Sequence, residues 1–356
     1  MGGFTYLWII RCGGSERLNR NVEYKLIREA PNDIIIPLVE VINENNFGNF
    51  HYILKGKYGE VWVDLPYYLA EHSNSFESDV IKLKSRYISP RDFFLTHKNY
   101  VDVPVISAPF SHSFDQEKKF YESIKEEFDK IAVRIRVPTY DISNILDSFN
   151  KLIKAMRPED VLLLDVFRFS RVESQIVSNI RKIIRIARQK NIDLFILNAF
   201  DTKQENCHNY GPLLTAYFSL NGFGDFATDE RYRSKGGSGA STKIIRYYDP
   251  SSFTLRFFTE KTTRYEGAKE KLISSGYWAT ISDSQHQKRC RVCREVANNL
   301  NRNDPSYWRR FRILHYLNCL VHETVSQYYS ANTPEDLDPD GYNVIVNLQG
   351  EEIPWQ

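Results

Sequence analysis

Val161-Leu-Leu-Leu164 runs straight into Asp165, and the same design recurs along the chain: Ile34-Ile-Ile-Pro-Leu-Val39 into Glu40, Val61-Trp-Val63 into Asp64, Val133-Arg-Ile-Arg136 closing on Arg136, and Leu194-Phe-Ile-Leu197 into Asn198. Short continuous apolar runs rich in β-branched residues are the mark of strands covered on both faces. A polar group at the end of each run falls where barrels and open α/β sheets put their sites, at the carboxyl ends of parallel strands.

Working outward from these runs, strands are expected at 4–11, 33–42, 60–65, 103–108, 131–137, 160–166 and 193–199. Helical spacing of apolar residues fills several intervals: 15–29, an irregular 67–86, 114–130, 140–156 and 172–190. Crossovers of this length imply parallel strands with right-handed connections. An eighth strand closes a barrel, and Gly222-Phe-Gly-Asp-Phe-Ala227 is the best candidate. The expected fold is therefore a TIM-barrel-like (β/α) barrel over 1–230, with an open doubly wound sheet as the alternative. A flexible loop and β-hairpin follow over 231–260 (Lys243–Tyr248 against Phe253–Phe258), then C-terminal helices packed on the barrel over 261–330, and an acidic tail over 331–356.

The chain has 356 residues, 42% hydrophobic and 14% aromatic, which suits one large packed core. No apolar run is long enough to span a membrane. The amino-terminal Met1–Ile10 segment reads as a first strand instead of a signal peptide. Five cysteines, an odd number, fit a reducing cytoplasm. The net charge of +2 does not announce a nucleic-acid protein. Its distribution is uneven, however, with a basic region over 285–316 and a tail bearing Glu335, Asp336, Asp338, Asp340, Glu351 and Glu352 without Lys or Arg. These can pair internally or serve separate partners.

Several ordered landmarks carry a resemblance: Gly14-Ser-Glu16 after the first strand, Ile36-Pro-Leu-Val-Glu-Val41, Val61-Trp-Val-Asp64, Val161-Leu-Leu-Leu-Asp165, Gly224-Asp-Phe226, Arg246-Tyr247, and Trp308-Arg309 before His315. Together they resemble the bacteriophage beta protein family of phages and bacterial mobile or defence loci. The family's late His-His pair is His315-Tyr316 here. The resemblance implies a barrel-like α/β fold and a setting in phage–host conflict, and it implies no particular reaction.

The candidate chemistry gathers at the strand ends. Glu40, Asp64 and Asp165 are the candidate catalytic carboxylates, and Arg134, Arg136, Asn198 and Asp225 the candidate ligand-binding groups. Buried carboxylates need a cation, because desolvating an unpaired charge costs several kcal/mol. Three readings stay open. The set forms a structural ion-pair network, or an anion-binding mouth for a nucleotide, nucleic acid or partner segment, or a Mg²⁺ or Mn²⁺ site for phosphodiesterase or nuclease chemistry. Arg134 and Arg136 share one strand face; if that face is the barrel interior, both can pair with Asp64 and Asp165 or reach a phosphate, and if it faces the helices, the barrel register is off by one. Cys290-Arg-Val-Cys293 with His315 and Cys319 has zinc-like spacing, against packing as small buried thiols. The Trp308–Arg312 stretch mixes cations and aromatics, as nucleic-acid-binding segments do, or else presents a solvated helix edge. No nucleophile elbow, Walker loop or dinucleotide fingerprint occurs. The functional expectation is a cytoplasmic protein whose barrel mouth binds an anionic ligand, a nucleic acid or a partner from a neighbouring gene. A phosphodiesterase and a non-catalytic scaffold are the alternatives.

Overall fold

In the computed structural model, the structure describes residues 5–12, 27–28, 30, 34–71, 76–108, 113–166, 174–198, 214–215, 217–227, 244–249, 254–259, 313–314 and 317. Eight parallel strands close into a barrel in sequence order. They are β1 Thr5–Cys12, β2 Ile35–Val41, β3 Trp62–Asp64, β4 Val103–Ala108, β5 Ala132–Arg136, β6 Val161–Asp165, β7 Asp193–Leu197 and β8 Gly222–Asp225. The last strand pairs with β7 on one side and β1 on the other, which seals the ring. The open-sheet alternative is thereby set aside.

The helices lie between the strands: α1 Phe47–Tyr58, α2 Glu77–Arg86, α3 Pro90–Thr96, α4 Asp115–Ile124, α5 Leu146–Ala155 and α6 Ser174–Arg188. Local chemistry explains several of them. Ser89 and Asp92 form a reciprocal capping box with Pro90 just inside α3, which satisfies the N–H groups of Ser89 and Asp92. Helix α6 buries Ile176, Val177, Ile180, Ile183, Ile184 and Ala187 along one stripe, the pattern read from sequence. Two strands, β9 Ile244–Asp249 and β10 Thr254–Thr259, pair antiparallel as the expected hairpin. Ile313, Leu314 and Leu317 are buried in the layer between barrel and helices, in keeping with a core-facing stripe on a late helix.

Strand alternation separates two cores. Leu7, Ile9, Leu38, Trp62, Val105, Leu163, Phe195 and Leu197 fill the barrel interior. Their odd-even neighbours, such as Val39, Val63, Val133 and Ile196, pack outward against the helices. Trp62 and Phe195 meet edge to face at 5.8 Å across the interior. The glycines of β8 make room there. A Cβ on Gly222 would lie 1.7 Å from the Thr5 carbonyl oxygen, and one on Gly224 would lie 2.7 Å from Leu7 Cβ and 2.8 Å from Leu197 Cδ2. Strand β8 approaches its neighbours too closely for any side chain on its inner face.

The amino-terminal end of the barrel is tied by a repeated device. Asp102 just before β4 accepts from Val61 N (3.0 Å), and Asp160 just before β6 accepts from Ile131 N (2.8 Å). Asn221 just before β8 accepts from Leu194 N (2.8 Å). In each case the side chain preceding one strand captures a backbone donor at the start of the strand before it. Around these pins lie His51 and Lys55 on Asp102, and Tyr121 and Arg157 on Asp160. Among the described residues no helix is long and apolar enough to cross a membrane.

Candidate functional site at the carboxyl end of the barrel

Inner-face residues one step above the apolar interior form a charged layer. Glu40 follows Leu38 on the inner face of β2, Asp64 follows Trp62 on β3, Arg134 follows Ala132 on β5, and Asp165 follows Leu163 on β6. All four are buried, Glu40 and Asp64 completely and Arg134 to within 3%. The hub is the Arg134 guanidinium. Its Nε donates to Asp165 Oδ2 at 2.9 Å, and its Nη1 donates to Glu40 Oε1 at 3.0 Å and to Asp64 Oδ2 at 2.5 Å. Nη2 also lies 2.9 Å from Asp165 Oδ2, yet it has no acceptor in hydrogen-bonding alignment.

Further groups complete the layer. Arg11, at the end of β1, donates from Nε to Glu40 Oε2 at 3.1 Å. Its guanidinium is sandwiched between the rings of Phe76 and Phe226, with centroids at 4.8 and 4.5 Å. Ser107 Oγ donates to Asp64 Oδ1 at 2.7 Å. Tyr68 lies in the 3-10 turn Tyr67–Ala70 after β3. Its hydroxyl donates to Glu40 Oε1 at 2.7 Å, and its ring lies 5.3 Å from the Arg134 guanidinium carbon.

Burial and charge set the ionisation here. Burial pushes the Asp64 carboxyl above its usual range. Arg134 pulls it down and Glu40 pushes it up, so the net direction is upward. Burial alone would lower the Arg134 pKa, but the surrounding carboxylates hold it well above the ordinary value. The guanidinium is thus a fixed cation. Protonation of Asp64 removes one of the layer's negative charges.

The structure sorts the expected site residues. Arg134 and Arg136 share a face, and they stand at different depths: Arg134 is buried in the charged layer. Arg136 is exposed at the rim, level with Asp165 in the strand register. Two residues of parallel strand advance the chain by about 7 Å, enough to carry Arg136 out of the barrel. Asp225 does not join the mouth. It lies on the opposite face of β8 from the inward glycines, where its Oδ1 accepts from Tyr6 OH at 2.5 Å and from Ala227 N at 2.7 Å. Asn198 is buried directly after β7, with its N–H donating to the Gly224 carbonyl at 3.0 Å. Of the three open readings, the Mg²⁺ or Mn²⁺ centre finds no support in the arrangement of the carboxylates. Their oxygens converge on the Arg134 guanidinium, where a metal would need them at about 2.0–2.2 Å around one point. No group of three His, Cys, Asp or Glu among the described residues is arranged to hold a metal ion. Cys290, Cys293, His315 and Cys319 lie outside the described residues, as do Trp308–Arg312 and the Gly236–Gly239 loop.

Arg11, Ser107, Tyr68, Phe76 and Phe226 are site residues that the strand-end reading missed. Arg11 and Ser107 carry the same signal as the others, since each ends an apolar run, Tyr6–Ile10 and Val103–Ile106. Tyr68 and Phe76 come from the segment between β3 and α2, where no periodicity marks them.

Comparison of the chain with protein-family models and with curated proteins gives no match.

Proposed function

We propose that the carboxyl-end mouth of this barrel is an anion-binding site for a phosphate-bearing ligand such as a nucleotide, built on a preorganised charged floor. The observation that carries this reading is the arginine pair on β5: Arg134 locked beneath the mouth, and Arg136 exposed above it on the same strand face. The floor supports such a role. Each carboxylate accepts hydrogen bonds from Arg134, Arg11, Ser107 or Tyr68, and the two guanidinium groups offset two of the three carboxylate charges before a ligand arrives, with Arg136 at the rim to offset the third. Arg134 Nη2 adds a buried donor without an aligned acceptor, a group that gains by meeting a ligand oxygen. Arginine suits phosphate recognition because its planar fork offers paired donors.

Glu40, Asp64 and Asp165 act here as positioning residues that hold Arg134. The resemblance to the beta protein family supports a setting in phage–host conflict, and the odd number of cysteines supports the cytoplasm. A partner from a neighbouring gene would then sense the loaded barrel.

A mass spectrum of small molecules released from purified protein tests the reading. The expected result is a phosphorylated compound with the wild type and its absence with Arg136→Ala. Identical spectra from the two proteins, with no phosphorylated species, would overturn it. Hydrolysis of a phosphodiester that is lost in Asp165→Asn would instead make the barrel an enzyme. Plating efficiency of phage on cells carrying wild type or Arg136→Ala tests the biological setting.

A further inference from the structure

The charged layer holds one more carboxylate than guanidinium. Among the described residues Glu40, Asp64 and Asp165 meet Arg11 and Arg134 there, while Arg136 stands above them at the rim. Ser107 on β4 and Tyr68 in the turn after β3 supply hydroxyls. Leu197 and Gly224, inward on β7 and β8, bring no charge. A phosphate that engages Arg136 withdraws the rim's offset for the third carboxylate.

The three carboxylates are held unequally. Glu40 accepts from Arg11, Arg134 and Tyr68, and Asp165 lies against Nε and Nη2 of Arg134. Asp64 accepts from Arg134 Nη1, which it shares with Glu40, and from the Ser107 hydroxyl. Glu40 and Asp64 are also direct neighbours in the register of β2 and β3. Two carboxylates side by side on one nitrogen resist being ionised together. Burial and Glu40 push Asp64 upward against the pull of Arg134, in keeping with this geometry.

Ser107 gives a proton on Asp64 its place. Asp64 Oδ2 faces Arg134, and Oδ1 lies 2.7 Å from Ser107 Oγ. A hydroxyl can donate or accept. With Asp64 protonated, Oδ1–H donates to Ser107 Oγ, and the serine's own hydrogen is released. Asp64 is completely buried, whereas Ser107 is exposed and level with Arg134 on the neighbouring strand. The released hydrogen can therefore turn into the mouth.

We propose, resting on the phosphate-binding reading of the mouth, that ligand binding draws one proton from water onto Asp64 and turns the Ser107 hydroxyl from Asp64 to the ligand. An anion near Asp64 disfavours its ionised form, and by linkage the protonated form favours the anion to the same extent. Below the ligand-free pKa of Asp64 the proton is already in place and none is taken up. Above it, and below the pKa in the loaded site, each binding event takes up one, and affinity falls about tenfold per pH unit.

Calorimetric titration of the full chain with inorganic pyrophosphate, across about pH 5–8, tests the proposal. Pairs of buffers with different ionisation heats count the protons taken up. Pyrophosphate itself titrates, so the readout is the difference between wild type and Asp64→Asn. Asparagine reproduces the protonated acid, because its oxygen can accept from Arg134 while its amide donates to Ser107. Wild type is expected to take up about one proton more per pyrophosphate than Asp64→Asn, and to lose affinity more steeply as pH rises. Glu40→Gln leaves two carboxylates for two guanidinium groups and should likewise bind without the extra proton. Binding by wild type with the same proton count as Asp64→Asn, or as Glu40→Gln should the first variant not fold, would overturn the proposal and leave the phosphate mouth standing. No pyrophosphate binding by wild type at any pH would overturn both.

Discussion

The two ends of the barrel use their carboxylates differently. At the amino-terminal end, Asp102 and Asp160 accept from the backbone N–H groups of Val61 and Ile131, so each fastens one strand to the start of its neighbour. At the carboxyl end, the hydrogen bonds described for Glu40 and Asp64 come from side chains: Arg134, Arg11, Tyr68 and Ser107. A carboxylate holding backbone is part of the fold itself, because its loss leaves a buried donor that nothing else can satisfy. A carboxylate holding a guanidinium belongs to a side-chain assembly that can be exchanged as a unit. The first arrangement fastens strand to strand, and the second is a side-chain layer beneath the mouth that can be replaced as a unit without breaking a backbone hydrogen bond. This matches the general division of labour between the two ends of such barrels.

The largest effect that sharpens this contrast is expected from Arg134→Met. It leaves Glu40, Asp64 and Asp165 buried without their common cation, and the loss should be about 3–5 kcal/mol by urea unfolding. Adding Glu40→Gln, Asp64→Asn and Asp165→Asn to that variant should restore at least half of the loss, since no charge is then stranded. At the other end Asp160→Ala is expected to cost about 3 kcal/mol through the unsatisfied Ile131 N–H and the stripped Arg157. Neutralising Arg157 as well should restore little. Equal rescue at both ends would break the distinction.

Gly222→Ala is the next test, because its Cβ would collide with the Thr5 carbonyl. Overpacking of this kind costs about 1–3 kcal/mol or more, and the seam between β8 and β1 should be where amide exchange accelerates.

The pH response should differ in sign between the ends. Burial raises Asp64, so its folded-state value lies above the unfolded one, and the native state binds the extra proton. Its contribution to stability is present below the unfolded value and is lost as pH rises through the folded one. Asp64→Asn should therefore gain on wild type as pH rises from acid toward neutral. For Asp102, burial alone would raise the carboxyl, but hydrogen bonds from His51 and Lys55 outweigh it and hold the value down. That contribution is present above the unfolded value and is lost as pH falls through the folded one. Asp102→Asn should lose ground on wild type over the same rise in pH. Thermal unfolding of the three proteins at a series of pH values gives both trends, and a shared sign would contradict the electrostatic description of one end.

The smallest effect is expected at the rim. Arg136→Ala removes an exposed side chain and should change stability by less than about 0.5 kcal/mol.

The strand skeleton was legible because parallel strands buried on both faces must be continuous apolar runs, and Val161–Leu164 or Leu194–Leu197 fit nothing else so well. Glu40, Asp64, Arg134 and Asp165 were legible for the same reason, each ending or interrupting such a run on the inner parity. Asp225 was misassigned because a four-residue strand does not reveal its facing from polarity alone. The inward positions of β8 are its glycines, and only the closeness of Thr5 and Leu7 shows why. Alternation gives the face that Arg134 and Arg136 share but not the depth at which the barrel opens, so only the structure shows Arg136 at the rim. Helix α3 carried a readable capping box in Ser89-Pro-Arg-Asp92 that hydrophobic spacing alone passes over. Tyr68 and Phe76 reach the site from a connecting segment, and their contacts with Glu40 and Arg11 depend on how that segment folds back over the mouth.

The central claim, that the carboxyl end is a binding surface and the amino end a structural one, meets its most direct test in a thermal-shift titration with inorganic pyrophosphate. A ligand that binds only the native state raises the unfolding temperature as its concentration passes the dissociation constant. Wild type is expected to rise by several degrees and Arg136→Ala to stay flat, although both start from nearly the same melting temperature. Equal shifts in the two proteins, or none in either, would contradict the assignment of the mouth.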